Sequence, residues 1–278
     1  MNINWYPGHM TKSIRQIESA LKLIDFVVYI VDSRAPYSCH NPSFDALFKG
    51  MPIIYVLNKV DLGDSKTAKI WLQSKCSDIT MSVSLDSRES NQAKILSTCA
   101  KQICKTKIDK FKQKGITISL RGMVVGLPNV GKSTLINNLA GSKKTKTGDM
   151  PGVTLGQQWV KIDDYLDVLD TPGTLYPKLS DRDCAIKLAL IGCIKDHITD
   201  SVELGLELVD RLQKMDNTYL KEKYGCNFDV EPIINLNQIA LKRGFLLKGG
   251  QVDLERAAVA VVDDFRKGRL GRISLDVV

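Results

Sequence analysis

Gly126-Leu127-Pro128-Asn129-Val130-Gly131-Lys132-Ser133 is the stretch that decides the fold. It fits the pattern G-x-x-x-x-G-K-S/T, follows the apolar run Gly122-Met123-Val124-Val125, and opens a helical pattern near Lys132. That strand, loop and helix context is the one a phosphate-binding loop requires. Glycines let the backbone curl so that successive N–H groups face a polyanion. Lys132 sets an ammonium against β- and γ-phosphate oxygens, and Ser133 offers a hydroxyl to Mg2+. Val130, Gly131 and Thr134 complete the loop and the first helical turn.

Downstream, Asp170-Thr171-Pro172-Gly173 ends a later apolar run. A carboxylate at that strand end can hold Mg2+ through a water, and the Gly173 N–H can reach a γ-phosphate because no side chain blocks it. Between the two, Pro151-Gly152-Val153-Thr154 supplies Thr154, whose hydroxyl can complete the Mg2+ shell when the γ-phosphate is present. Upstream, Asn58-Lys59-Val60-Asp61 begins where the apolar run 53–57 ends, the place where ligand loops leave an open α/β sheet. Asp61 can accept from both guanine N1–H and the exocyclic amino group. Adenine lacks that amino group and would strand a buried acceptor, a loss of about 1–3 kcal/mol. The Lys59 stem can cover the base and Asn58 can tie the loop to its neighbours. Ser82 and Val83, at the end of the next strand, are expected to present a backbone N–H to the guanine oxygen.

The remaining pattern builds the frame. Continuous apolar runs at 26–31 and 53–57 read as strands buried on both faces, with further strands at 80–84, 122–125, 158–162 and 166–169. The last two form a hairpin across Asp163-Asp164. Helical patterns at 12–23, 67–75 and 90–105 alternate with them, which predicts an α/β fold with a mostly parallel sheet. Past residue 177 the strands stop, and amphipathic patterns follow at 186–194, 202–214, 234–242 and 254–265. The expected division is a nucleotide-binding domain over 1–177 and a small all-α domain over 178–278.

Composition is ordinary for a globular chain of 278 residues, with 44% hydrophobic and 25% charged residues. No leader pattern opens the sequence and no apolar run is long enough to span a bilayer, so a soluble cytoplasmic protein is expected, with no membrane partner. The seven cysteines are scattered without the paired spacing of zinc sites, and are expected to be idle thiols. The net charge of +8 is uneven: residues 1–177 carry 23 Lys and Arg against 15 Asp and Glu, whereas 178–278 carry 16 against 16. The excess is densest from Lys94 to Lys114, where seven lysines face only Asp109. Such a block reads either as a solvated helix face or as a nucleic-acid contact.

The order of these motifs is unusual. Ordinary small GTPases present the phosphate loop, the Mg2+ segments and then the base loop, whereas here the base loop comes at 58 and the phosphate loop at 126. A sheet tolerates such a circular permutation when the original ends lie close and are joined, here by 105–117, because the site depends on which strand ends are neighbours.

Together with Trp5-Tyr6-Pro7-Gly8-His9-Met10, Asp32-Ser33-Arg34-Ala35-Pro36, Lys242-Arg243-Gly244 and Gly249-Gly250, this ordered set resembles the circularly permuted GTPases of ribosome assembly along nearly the whole chain. The resemblance implies a circularly permuted P-loop GTPase fold, binding of GTP and GDP with Mg2+, and association with the large ribosomal subunit late in its assembly. It also implies a helical C-terminal domain that helps contact ribosomal RNA, and a monomer away from the ribosome. Under it, the Lys-rich block and Lys143, Lys144 and Lys146 are expected to meet RNA phosphates. Two further roles rest on the resemblance: His9 as the group that orients or activates the attacking water, and Asn129 as a ligand for K+ at the phosphates.

After Gly173 stands Thr174, where regulatory GTPases carry a glutamine; it is too short for that role, so slow turnover by the isolated chain is expected. Two alternative functions remain at this stage. One is a nucleotide-gated RNA-binding module whose hydrolysis is incidental; the other is an ATP-dependent enzyme of the same fold, which Asp61 disfavours.

Overall fold

The runs at 26–31 and 53–57 lie side by side as parallel strands. In the computed structural model, which describes residues 8–86, 88–89, 92–141, 158–175, 181–215, 218–226 and 230–276, they become β1 (Phe26–Asp32) and β2 (Ile53–Asn58). Helix α1 (Gly8–Ala20) leads into β1, and α2 (Ser43–Leu47), α3 (Ser65–Ser74) and β3 (Thr80–Ser84) follow in order. Next come α4 (Gln92–Ile103), α5 (Lys105–Lys112), β4 (Leu120–Gly126), α6 (Lys132–Leu139), β5 (Gln158–Asp163) and β6 (Leu166–Asp170). The strand order across the sheet is β3-β2-β1-β4-β6-β5, parallel throughout except for β5 against β6. Every residue of β1 is buried, as a central strand covered on both faces must be, and its one charged side chain is the terminal Asp32.

The segment expected to be a connector, 105–117, is helical as far as Lys112. Half-buried Ile108 and Phe111 recur at helical spacing among its lysines, and Ile108 packs against the core. All seven cysteines are free thiols, and no described helix is long and apolar enough to cross a membrane.

From residue 181 the described chain is helical: α7 (Arg182–Leu190), α8 (Ser201–Met215), α9 (Thr218–Tyr224), α10 (Pro232–Lys242) and α11 (Leu254–Arg266). Helix α8 crosses α11 at Gly205, where an added Cβ would lie 2.5 Å from the Ala258 Cβ. Beyond α11 the chain turns back to the sheet. Ile273 N–H donates to Leu62 O (2.9 Å), Leu275 N–H to Arg34 O (2.6 Å), and the Ser274 hydroxyl to Ser33 O (2.8 Å). Asp276 then accepts from the Tyr37 and Ser38 N–H groups at 2.8 and 3.0 Å. The C-terminal residues therefore brace the loops that follow β1 and β2.

Candidate nucleotide site

Helix α6 begins directly after the phosphate loop, so its N-terminal N–H groups and the loop amides converge at the end of β4. The Lys132 side chain is buried, 6% exposed, and its ammonium donates to the Gly126 and Leu127 carbonyl oxygens at 3.2 and 2.7 Å. Burial pushes its pKa down to about 8 against the pull of Asp170. The Ser133 hydroxyl donates to Asp170 Oδ2 at 3.3 Å, and Asp170 is fully buried at the end of β6. Gly173 lies against the loop itself: a Cβ there would stand 2.7 Å from Pro128 Cα and 3.0 Å from Lys132 Nζ.

The base loop leaves the end of β2 and is tied directly to the phosphate loop. The Asn58 side-chain amide donates to Val130 O at 2.7 Å, and the Lys59 ammonium donates to Asn129 O at 2.7 Å while pairing with Asp32 at 3.0 Å. Lys59 (φ 57°) and Asn129 (φ 60°) are the non-glycine residues with left-handed backbone among those described, and both sit at this junction. The Asp61 Oδ2 accepts from Arg88 at 2.6 Å, while the buried Oδ1 has no partner among the described residues. A carboxylate can accept about four hydrogen bonds, so Asp61 retains room for two donors on one edge of a base.

Behind these loops sits a buried ion pair. Arg34 Nε and Nη2 donate to the two oxygens of Asp32 at 2.9 and 2.6 Å, with both side chains essentially inaccessible. Burial alone would raise the Asp32 carboxyl, but Arg34 and Lys59 outweigh it and hold it well below the usual carboxylate range. Arg34 also donates to Ile191 O and Arg266 O, both at 3.2 Å. Arg34→Ala would leave Asp32 buried without its fork, a loss of about 3–5 kcal/mol. A fall in melting temperature of roughly 10 °C is the expected reading, and a change within a degree or two would show that the pair bears little weight.

The other expected site residues sit in β3, in the loop after β2 and on α6, or fall outside the described residues. Ser82 and Val83 are inside β3, in register with Tyr55 and Val56, and the Ser82 hydroxyl donates to Leu72 O. The strand pairs as far as Ser84, opposite Leu57, and the Leu85 N–H donates to Leu57 O, so the loop level with Asn58 starts at Leu85. Val60 packs at the edge of the core and Thr134 is exposed on α6. His9 falls in the first turn of α1, with its side chain outside the described residues, as is all of Thr154 and the cluster Lys143, Lys144 and Lys146. Thr174 is fully buried, and its hydroxyl has no partner among the described residues. The Asn129 amide donates to Gly192 O at 3.3 Å, so this nitrogen is engaged with the helical region.

Residues 121–236 match a family model described as a 50S ribosome-binding GTPase. The chain is 39% identical to ribosome biogenesis GTPase A of Bacillus cereus, over 99% of its own length and 94% of that protein. The chain belongs to the ribosome biogenesis GTPase A family. The Thermotoga maritima member is 31% identical over 99% of this chain and 94% of its own. Two solved structures align with a TM-score of 0.65: a GDP-bound TM YlqF, 29% identical, and a GNP-bound YlqF from T. maritima, 28% identical. They cover 94% and 95% of this chain and 98% and 97% of theirs. As a member of that family, the chain is a GTP hydrolase with a P-loop α/β fold.

Two features of the site were not assigned a role from the sequence. Asp-Ser-Arg occurs twice, at 32–34 after β1 and at 86–88 after β3. In each copy the arginine Nε and Nη2 grip the aspartate at 2.9 and 2.6 Å; the first fork points into the helical region, whereas the second reaches Asp61. The repeated tripeptide beyond a strand end is the signal that could reveal them. The other feature is the C-terminal end of α7, where four successive carbonyl groups each receive a side-chain donor. Arg266 serves Ala189 and Leu190 at 2.8 and 2.9 Å, Arg34 serves Ile191, and Asn129 serves Gly192. Nothing local in the sequence marks that convergence.

Proposed function

We propose that this GTP hydrolase drives late assembly of the large ribosomal subunit in the cytoplasm, with turnover stimulated by the subunit and with residues 178–278 contacting ribosomal RNA. The permuted chain order supports this, because the Asp170 segment leads straight into the helical region. The observation that carries the proposal is the phosphate-loop side chain of Asn129 on Gly192 O. Whatever reorders that loop moves a hydrogen bond at the C-terminal end of α7, so nucleotide state and helical surface share a mechanical connection.

The donor set at Ser133 and Asp170, a hydroxyl and a buried carboxylate within 3.3 Å, fits a hard divalent cation held jointly with phosphates. Ser133, Thr154 and Asp170 would hold Mg2+, which when bound offsets charge on the β- and γ-phosphates. In binding, Lys132 exchanges its carbonyl partners for phosphate oxygens, Gly173 lets the segment lie against them, and Asp61 grips the guanine edge. Buried Thr174 cannot orient water, so we assign that task to His9. If His9→Ala leaves subunit-stimulated hydrolysis unchanged, this assignment is wrong.

Sedimentation with purified large subunits tests the whole proposal. More protein should pellet with a non-hydrolysable GTP analogue than with GDP; equal or absent pelleting in the two states would refute it.

A further inference from the structure

At the end of β4 opposite the phosphate loop, roughly 20 Å away along the strand, lies a cavity of about 560 Å3. Its rim carries Lys101, Lys105 and Lys112, and its apolar wall includes Ile108 and Ile116. With Ile108 the three lysines fall at i, i+4, i+7 and i+11, one face of the nearly continuous α4 and α5. Tyr165, in the β5–β6 turn, closes the other side; its ring is 49% exposed and the Lys101 ammonium stands 4.9 Å from the ring centroid. No carboxylate lines the cavity, and none pairs with Lys101, Lys105 or Lys112 among the described residues. By contrast Lys107, on another face of the same helix, is paired with Asp25.

We infer that this cavity is a docking site for an unpaired segment of RNA, with phosphates at the three lysines and a base against Tyr165 and Ile116. The charge is complementary to a polyanion, and a lysine row alone would suit any such partner. The half-exposed ring beside it is what selects a nucleic acid, since stacking on an aromatic face is how single strands are held without reading sequence. The volume lies within the range of small-ligand sites, enough to admit a base while the backbone runs along the helix. This inference rests on the ribosomal RNA partner proposed above and assigns it a second contact surface, outside the helical C-terminal region.

Binding of a fluorescein-labelled twelve-nucleotide single-stranded RNA to the full chain loaded with GDP tests it, read by anisotropy across a salt series. Tyr165→Ala should weaken binding about tenfold, while Tyr165→Phe, which keeps the ring, should bind as wild type. Removing Lys101, Lys105 and Lys112 together by alanine should lower the salt slope by roughly two. Removing Lys66, Lys69 and Lys110, exposed and outside the cavity, should change affinity less than about twofold if binding is localised. GDP affinity should be the same in every variant, because the nucleotide loops lie at the other end of the sheet. An unaffected Tyr165→Ala variant, a control triple as damaging as the cavity triple, or equal competition by a polyglutamate peptide would each overturn the assignment. The subunit pelleting assay reads the assembly role separately. Variants that pellet normally yet lose nothing on the oligonucleotide sink only the cavity, whereas a wild-type chain that never pellets sinks the assembly proposal.

Discussion

Lys132→Met is expected to lose roughly a thousandfold in GDP affinity while raising the melting temperature of the nucleotide-free protein. The ammonium is buried with carbonyl oxygens as its hydrogen-bond partners, and burial holds its pKa near 8 instead of 10.5. Keeping that group charged at neutral pH costs on the order of 3 kcal/mol. Methionine removes this penalty and, measured against the neutral amine that the penalty takes as reference, gives up two hydrogen bonds of about 1 kcal/mol each. The net gain of about 1 kcal/mol corresponds to roughly 2–4 °C. The sign can be checked with pH. Below about 8 the folded lysine is charged and the penalty is complete; between about 8 and 10.5 the folded form sheds its proton while the unfolded form keeps it. Wild-type stability should therefore rise through that window and the methionine variant's advantage should shrink. A variant that melts lower at pH 7, or whose advantage ignores pH, would mean that the ammonium sits there without penalty. Phosphate binding gives the lysine its charge partner, so the site stores instability that the ligand relieves.

Asp61→Asn should reverse the base preference from guanine to xanthine. The carboxylate offers acceptors to two guanine donors, each a charge-assisted bond of about 1.5–3 kcal/mol. An asparagine keeps one acceptor and turns a donor toward the base, which suits the xanthine carbonyl. A loss of at least about a hundredfold for GDP is expected, with a gain for XDP, measured by competition on the same preparation. Folding should be little affected, because the Asp61–Arg88 pair is solvent-exposed on the arginine side and Arg88 keeps its fork to Asp86. Retained guanine preference would show that the loop after β2 does not read the base.

The sheet and its loops are legible in the sequence because their signals are local. A short, β-branched apolar run such as 26–31 that ends at a polar loop reads as a strand covered on both faces, and the phosphate loop is recognised by residues that each answer a polyanion. The tie between the two loops is legible too: Asn58 was expected to hold its loop to a neighbour, and it bonds Val130 O. What is not legible is register and long-range convergence. The bounds of β3, 80–84, are legible, but its register against β2, which sets Ser82 beside Tyr55 and Val83 beside Val56, is fixed only by the pairing. The lysines of 105–112 suggest a connector, yet Ile108 has a core to pack on only once the fold is made. Likewise the braces from Arg266 to the end of α7, and from Ser274 and Asp276 to the loop after β1, span more than 70 residues and carry no marker along the chain.

Isothermal titration of the nucleotide-free chain with GDP, GTP and ATP in Mg2+ tests the central claim, that the 58–61 and 126–133 loops form a single guanine-nucleotide site. Saturable binding of GDP and GTP at one equivalent per chain, with ATP giving no comparable heat, is the predicted result. Failure to bind either guanine nucleotide, or equal binding of ATP, would contradict it.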